Sequence, residues 1–297
     1  MGPCHELLGS RRNIARAKAE LLEALPAGGM AFVNAANDMT PELLEFADLD
    51  SRGVTCVLYD GTVEAAERRA ALSAVDAARP AVWSEDVRLD AAGCPRFALC
   101  ACGFDGMTEP VRVDCALELR GMHNVSNACS AAAVGFAAGM GAAQVAEALS
   151  GAKPEAGRQE VLQAPGGFTV INDAYNANPD SMRASLSTFA ALDVAGARIA
   201  VLGDMGELGD FAAACHEGVG EAAAAMPLDA LVCVGELSEG IADGAERAGM
   251  DPEKIVRAHS VAEVLGELEG RVQPGDAVLV KASHFMGLTR VVEGLVS

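Results

Sequence analysis

Short apolar runs alternate with helix-like segments through the second half of the sequence, and this alternation limits the possible folds more than any other feature. Five runs are typical of buried strands: residues 168–172, 198–202, 230–234, 254–257 and 277–281. Apolar residues at helical spacing predict helices near residues 181–191, 211–225, 238–248, 261–268 and 287–295. A regular strand–helix repeat predicts a doubly wound α/β domain with a parallel sheet.

The first half also alternates, but its middle changes character. We expect a helix from Ser10, a strand over residues 30–34, a helix from about Thr40, a strand over residues 54–59 and a helix ending near residue 78. The apolar face of the first helix is predicted from its spacing to contain Ile14, Ala17, Leu21, Leu22 and Leu25. Three strand-like runs between residues 81 and 119 predict a meander at the edge of the domain. Helices over residues 125–138 and 142–149 follow.

Residues 150–157, SGAKPEAG, are the best candidate for a linker, because they are small, contain Pro and Gly and lack periodicity. A chain of 297 residues is typical of about two domains. We therefore predict one domain over residues 1–152 and a second over residues 153–297.

Composition narrows the class of partner. A net charge of −20 argues against nucleic acid or an anionic membrane, since both require basic patches. The nine cysteines are scattered without a CxxC, and we expect most of them to be buried in a reducing cytosol. The sequence shows no signal peptide, and its alanine-rich runs are too interrupted for a transmembrane helix. We expect a cytoplasmic monomer.

A polar loop, Asp173-Ala174-Tyr175-Asn176-Ala177-Asn178, follows the first strand of the second half. It offers a carboxylate, two amides and a phenol at the carboxyl end of a strand, where open α/β sheets bind ligands. Asn178 is the predicted N-cap of the next helix, and Pro179 suits the first helical position. A well-capped turn that binds nothing explains the same residues.

Four further polar segments are suited to ligand binding, and each has a simpler explanation. Asn124 and Asn127 can hold the edge of an adenine or cap a helix. Arg158 can bind a phosphate or form a surface ion pair. Residues 202–209 place two carboxylates among three glycines without matching GxGxxG. Lys281 can meet a carboxylate or phosphate, or lie at a solvated strand end. Three of these polar segments end predicted strands, so they can converge on one crevice.

In their order and spacing, these segments resemble the Mur ligase family. The matching motifs are HELLGSRRNIARAKAELL, GMHNVSN, GRQEV, NDAYNANPDSMRASL, VLGDMGELGDFAAACHEGVG and LVKASHFMGL. The resemblance implies part of a central ATPase domain followed by a Rossmann-like C-terminal domain. It also implies ATP and Mg²⁺ as cofactors, and UDP-MurNAc-tripeptide and D-Ala-D-Ala as substrates in peptidoglycan precursor synthesis. The implied reaction passes through an acyl phosphate, which the amine attacks.

The resemblance further implies roles for individual residues. It implies that His5 and Lys18 bind the metal, with Lys18 carbamylated. It implies ATP contacts for Asn124, Asn127, Arg158 and Asp173, and substrate contacts for Tyr175, Asn176, Asn178 and Ser283. It implies catalytic roles for Lys18, Arg158 and Lys281.

The chain also departs from the family pattern. No GxxGKT-like phosphate loop precedes His5, so we expect an incomplete fragment that is inactive alone, without the backbone N–H groups that bind phosphates. The segment His5-Glu6 is one residue short, the segment before Tyr175 lacks one acid and one hydroxyl, and His284 stands where the family has arginine. Three alternatives stay open: a folylpolyglutamate-type ligase, a non-catalytic module that complements a separate N-terminal chain, and a domain pair without retained function.

Overall fold

The computed structural model describes residues 10–67, 79–107 and 109–297, which form two compact units. The described residues up to Lys153 make the first unit, and residues from Pro154 to Ser297 make the second unit. This division falls inside the segment that the sequence predicts as a linker. The helix predicted to end near residue 78 lies largely outside the described residues.

The first unit contains a five-stranded mixed sheet with strand order β1-β2-β3-β4-β5. Its strands are β1 (Met30–Asn34), β2 (Thr55–Asp60), β3 (Ala81–Leu89), β4 (Pro95–Cys102) and β5 (Val111–Ala116), and its helices are α1 (Arg11–Glu23), α2 (Thr40–Ala47), α3 (His123–Ala137) and α4 (Ala142–Ser150). Strands β1, β2 and β3 are parallel, whereas β3, β4 and β5 pair antiparallel. The structure therefore confirms the predicted meander at the edge of this sheet.

The predicted apolar face of α1 is partly wrong. Its fully buried residues are Ala15 and Ala19, whereas Leu21 is 75% exposed. Leu22 and Leu25 pack against the core beside β1 and β2 as predicted. Small alanine side chains bury completely at a close contact, so the helix faces its neighbours through alanines that a search for large apolar residues overlooks.

The second unit contains a six-stranded sheet with strand order β10-β9-β8-β11-β7-β6. Its strands are β6 (Glu160–Gln163), β7 (Thr169–Asn172), β8 (Arg198–Gly203), β9 (Ala230–Val234), β10 (Ile255–Ala258) and β11 (Ala277–Lys281), and its helices are α5 (Pro179–Ala190), α6 (Ala212–Ala224), α7 (Glu239–Arg247), α8 (Val261–Leu268) and α9 (Thr289–Val296). Strands β7 to β11 pair in parallel. One core packs α5, α6 and α7 on the sheet, and another packs α8 and α9, which confirms the doubly wound fold.

The edge strand β6 was not predicted. It runs antiparallel to β7, with Val161 opposite Ile171 and Leu162 opposite Val170. Its four residues include only two apolar ones, both partly buried, so the run is too short to give a periodic signal. The strand matters for the site because it begins two residues after Arg158.

The strand order places β8, β11 and β7 side by side. Because parallel strands end at the same edge of a sheet, the loops after these three strands leave it as neighbours. The candidate site of the second unit lies at this edge.

Candidate functional site

A buried ion pair joins the ends of β7 and β11. Lys281 Nζ lies 2.8 Å from Asp173 Oδ2, and the two residues are 2% and 8% exposed. Lys281 Nζ also donates to the carbonyl oxygen of Asn176 at 3.0 Å. The alternative of a solvated strand end is wrong, because Lys281 is buried, whereas its contact with a carboxylate or phosphate of a ligand stays a prediction. A lysine ammonium has three N–H donors, so one remains for a further partner.

The other oxygen of Asp173 ties this pair to β6. Asp173 Oδ1 accepts the backbone N–H of Gln159 at 3.2 Å, and Gln159 has a left-handed backbone with φ 51°. The neighbouring Arg158 guanidinium stacks on the ring of Tyr175, with 4.1 Å between the guanidinium carbon and the ring centre. Arg158 also lies 3.4 Å from Glu155 in a solvent-exposed ion pair. The structure therefore brings Arg158, Asp173, Tyr175 and Lys281 together.

Ser283 joins all three loops at the carboxyl edge. Its hydroxyl donates to the carbonyl oxygen of Ala177 at 3.2 Å and accepts the backbone N–H of Gly206 at 2.9 Å. Its own N–H donates to the carbonyl oxygen of Asp204 at 3.0 Å. Buried polar groups that satisfy one another in this way fix the relative position of the loops.

A buried histidine on α6 forms a hydrogen bond with the loop after β8. His216, on α6, is 0% exposed; its Nε2 accepts the backbone N–H of Met205 at 2.9 Å, and its Nδ1 lies 2.7 Å from the carbonyl oxygen of Ala212. These partners require a neutral ring with the proton on Nδ1. Burial lowers the pKa of His216 below its usual 6.5, which favours the same neutral form.

The three loops enclose an open cleft of about 580 Å³. It is lined by Tyr175, Asn176, Ala177, Asn178, Gly206, Glu207, Leu208, Ser283, His284 and Phe285. The rings of Tyr175 and His284 lie 5.9 Å apart between centres. The sequence predicted that polar loops from separate strands would meet, and the structure confirms this meeting; the ligand roles of the individual residues stay predictions.

Asn178 caps α5 as predicted. Its side-chain oxygen accepts the backbone N–H of Ser181 at 2.8 Å, and the Ser181 hydroxyl accepts the backbone N–H of Asn178 at 3.0 Å. This reciprocal pair satisfies two donors that the helix itself leaves open.

Replacing Asn178 with alanine is expected to lower the free energy of unfolding of the second unit by about 1 kcal/mol, because the cap is lost. Urea denaturation followed by circular dichroism measures the change. Asn178→Asp keeps an acceptor at the same position and should unfold at nearly the wild-type urea concentration. Equal losses in the two variants would show that the cap does not set the stability of α5.

The candidates in the first unit form no comparable cluster among the residues that the structure describes. Asn124 donates to the carbonyl oxygen of Arg120 at 2.7 Å, and Asn127 donates to Asn124 Oδ1 at 3.0 Å. Neither caps α3, whose first turn has no side-chain cap, so the capping alternative is wrong. Lys18 is exposed on α1, whereas His5 lies outside the described residues.

The described residues contain neither a cluster of metal ligands nor a membrane-spanning helix. No group of three or more His, Cys, Asp or Glu side chains there is arranged to hold a metal ion, and no helix there is long and apolar enough to cross a membrane. The cysteines in that part of the chain are buried as predicted, apart from the half-buried Cys102.

Comparison with known proteins identifies the family. The model of the Mur ligase middle domain matches residues 5–135, and the model of the Mur ligase glutamate ligase domain matches residues 157–284. The chain belongs to the Mur ligase family. Both units thus contain Mur ligase domains, and the mixed α/β fold with a Rossmann-like second unit agrees with this membership.

Within the Mur ligase family, the chain is similar to ligases that are named for D-alanyl-D-alanine. It is 36% identical over 308 residues to the UDP-N-acetylmuramoyl-tripeptide--D-alanyl-D-alanine ligase of Mycobacterium tuberculosis, covering 97% of this chain and 55% of that protein. A crystal structure of MurF from Acinetobacter baumannii superposes with a TM-score of 0.77 and 26% identity over 98% of this chain and 56% of that one. The fold also matches MurF ligase from Thermotoga maritima in complex with ADP, with a TM-score of 0.70, 20% identity, and coverage of 98% and 58%. The chain thus spans little more than half the length of these relatives.

Sequence reasoning assigned no individual role to three residues of this Mur ligase site. His216 and Gln159 stood only inside longer motifs, and Glu207 was only one of the two carboxylates in residues 202–209. Glu207 and Gln159 have left-handed backbones, with φ of 60° and 51°. The glycines around Glu207 signal an unusual turn, but no pattern in the sequence shows that a glutamate itself adopts the left-handed conformation.

Proposed function

We propose that this chain acts in an ATP-dependent amide ligase of peptidoglycan precursor synthesis. The terminal carboxylate of UDP-MurNAc-tripeptide takes a phosphoryl group from ATP, which gives an acyl phosphate and ADP. The amine of D-Ala-D-Ala attacks the acyl carbon, phosphate leaves, and the amine nitrogen loses a proton as the amide forms. The names of the relatives support this choice of substrates, and a cytoplasmic location belongs to the same proposal.

The observation that carries the proposal is the meeting of Lys281, Asp173 and Arg158 at one edge of the second sheet. Phosphoryl and acyl transfer concentrate negative charge, which fixed cationic groups stabilise. Lys281 is positioned by Asp173 and by the carbonyl oxygen of Asn176, and it keeps one N–H for a substrate oxygen. Arg158 is held flat on Tyr175, with its guanidinium partly exposed and suited to a phosphate.

The remaining predicted roles follow the same proposal. Asp173, Asn124 and Asn127 contact ATP, and Tyr175, Asn176, Asn178 and Ser283 contact the peptide substrates. Mg²⁺ offsets phosphate charge when it is bound, and its predicted ligands are His5 and Lys18. Among the described residues Lys18 has no acidic or histidine cluster around it, so we assign no step to the metal that His5 and Lys18 are predicted to bind.

The test is a titration of the purified chain with D-Ala-D-Ala, followed by NMR or calorimetry, with and without ATP and UDP-MurNAc-tripeptide. We expect saturable binding with a dissociation constant in the range of roughly 1 µM to 1 mM that is usual for enzyme substrates. L-Ala-L-Ala and L-glutamate serve as controls and should bind at least tenfold more weakly. Preferential binding of L-glutamate would favour the folylpolyglutamate-type alternative, and no binding of D-Ala-D-Ala under any condition would refute the proposal.

A further inference from the structure

Glu207 occupies an unusual backbone position on the wall of the cleft. It has φ 60°, and only three other non-glycine residues in the described ranges have a positive φ. Two of them have structural reasons: Asp48 ends α2 in a left-handed cap, and Asp86 lies at a register shift in β3. A side chain kept in this sparsely populated region at a cleft suggests a functional constraint.

The loop on both sides of Glu207 leaves it little freedom. The backbone N–H of Met205 is bonded to His216, and that of Gly206 to Ser283. On the other side, Leu208 is buried in the core under α5 and α6. The contacts therefore fix the backbone before and after Glu207, which lines the cleft.

The chemistry of the cleft matches a cation. Glu207 is the only Asp, Glu, Lys or Arg among the lining residues, and in the described part of the chain its carboxylate forms no ion pair. The ring of Phe285, which is 66% exposed, forms another part of the wall, beside the ring of Tyr175, one face of which carries the Arg158 guanidinium. Aromatic faces attract ammonium groups, and a carboxylate forms strong charge-assisted hydrogen bonds with them.

We propose that Glu207 binds the ammonium group of the incoming amine substrate and thereby selects free amines. The inference rests on the proposed function, since it deepens the role of the same cleft. The neighbouring Lys281 then faces the negatively charged reaction partner, while Glu207 faces the positively charged one. The two charges are kept apart because Lys281 is already paired with Asp173.

The test compares two probes, D-Ala-D-Ala and N-acetyl-D-Ala-D-Ala, which lacks the ammonium group. Wild-type chain is expected to bind the free dipeptide at least tenfold more tightly than the acetylated one. Glu207→Gln should weaken binding of the free dipeptide about 10- to 100-fold, as expected for the loss of a charged hydrogen-bond partner, and should leave the acetylated dipeptide unchanged. Glu236→Gln removes an exposed carboxylate outside the cleft lining and should change neither affinity.

A second variant guards against misfolding. Glu207→Gly suits a left-handed backbone, so its midpoint of thermal unfolding should equal or exceed that of the wild type while binding of the free dipeptide is still lost. If wild type binds D-Ala-D-Ala and Glu207→Gln binds it equally well, this inference is wrong and the proposed function stands. If wild type binds neither dipeptide, the proposed function fails and Glu207 loses its assigned ligand.

Discussion

Replacing Lys281 with methionine is expected to lower the free energy of unfolding of the second unit by about 3–5 kcal/mol. The methionine has a similar length, so the main loss is electrostatic: Asp173 would keep a buried carboxylate without its cation. One backbone N–H would still contact the carboxylate, since Asp173 Oδ1 accepts from Gln159, but an amide alone does not neutralise the charge. Urea denaturation at neutral pH measures the loss.

A control variant and a double variant test whether the unpaired Asp173 carboxylate causes the loss of stability. Lys254→Met removes an exposed lysine whose ammonium donates to the carbonyl oxygen of Leu228 and pairs with no carboxylate in the described residues, and it should cost less than about 0.5 kcal/mol. The double variant Lys281→Met with Asp173→Asn buries no unpaired charge and should regain most of the stability. If Lys281 also contacts substrate, the double variant will be stable and yet fail to bind or ligate. A loss below about 1 kcal/mol in the single variant would mean that water compensates Asp173.

The elements of the second unit were predicted well because their signals are local. Strands over residues 230–234 and 277–281 and the helix over residues 261–268 match the structure residue for residue. Each strand contains at least four consecutive apolar residues, and the helix is capped by Ser260, whose hydroxyl accepts the backbone N–H of Glu263. Burial on both faces and a capping side chain are features that neighbouring residues reveal.

The partners of the site residues were harder to predict, because they depend on contacts between distant segments. Lys281 and Asp173 are 108 residues apart, and the sequence indicated only that their strands end at one edge. The pairing itself requires that β11 lie beside β7, which is set by the strand order and not by any local motif. The function of His216 is likewise invisible in sequence, since its partner is a backbone N–H of another loop.

Mild acid is expected to destabilise the second unit through His216. Above about pH 6.5 the ring is neutral in both the folded and the unfolded chain, so its titration contributes nothing. As the pH falls below 6.5, His216 binds a proton in the unfolded chain but stays neutral in the folded chain, because burial lowers its pKa there. The free energy of unfolding then falls by up to about 1.4 kcal/mol per pH unit until the folded histidine is itself protonated.

Replacing His216 with leucine separates the hydrogen bond from the titration. At pH 7.5 the variant should lose about 1–3 kcal/mol, because the buried N–H of Met205 is left without an acceptor. Between pH 6.5 and 5.5 the variant should also lack the part of the stability decline that His216 causes. The difference in free energy of unfolding between wild type and variant should therefore narrow as the pH falls. A difference that stays constant with pH would mean that His216 titrates alike in both states. Because Met205 is two residues before Glu207, the same leucine variant should also weaken binding in the cleft, whereas a purely structural histidine would change stability alone.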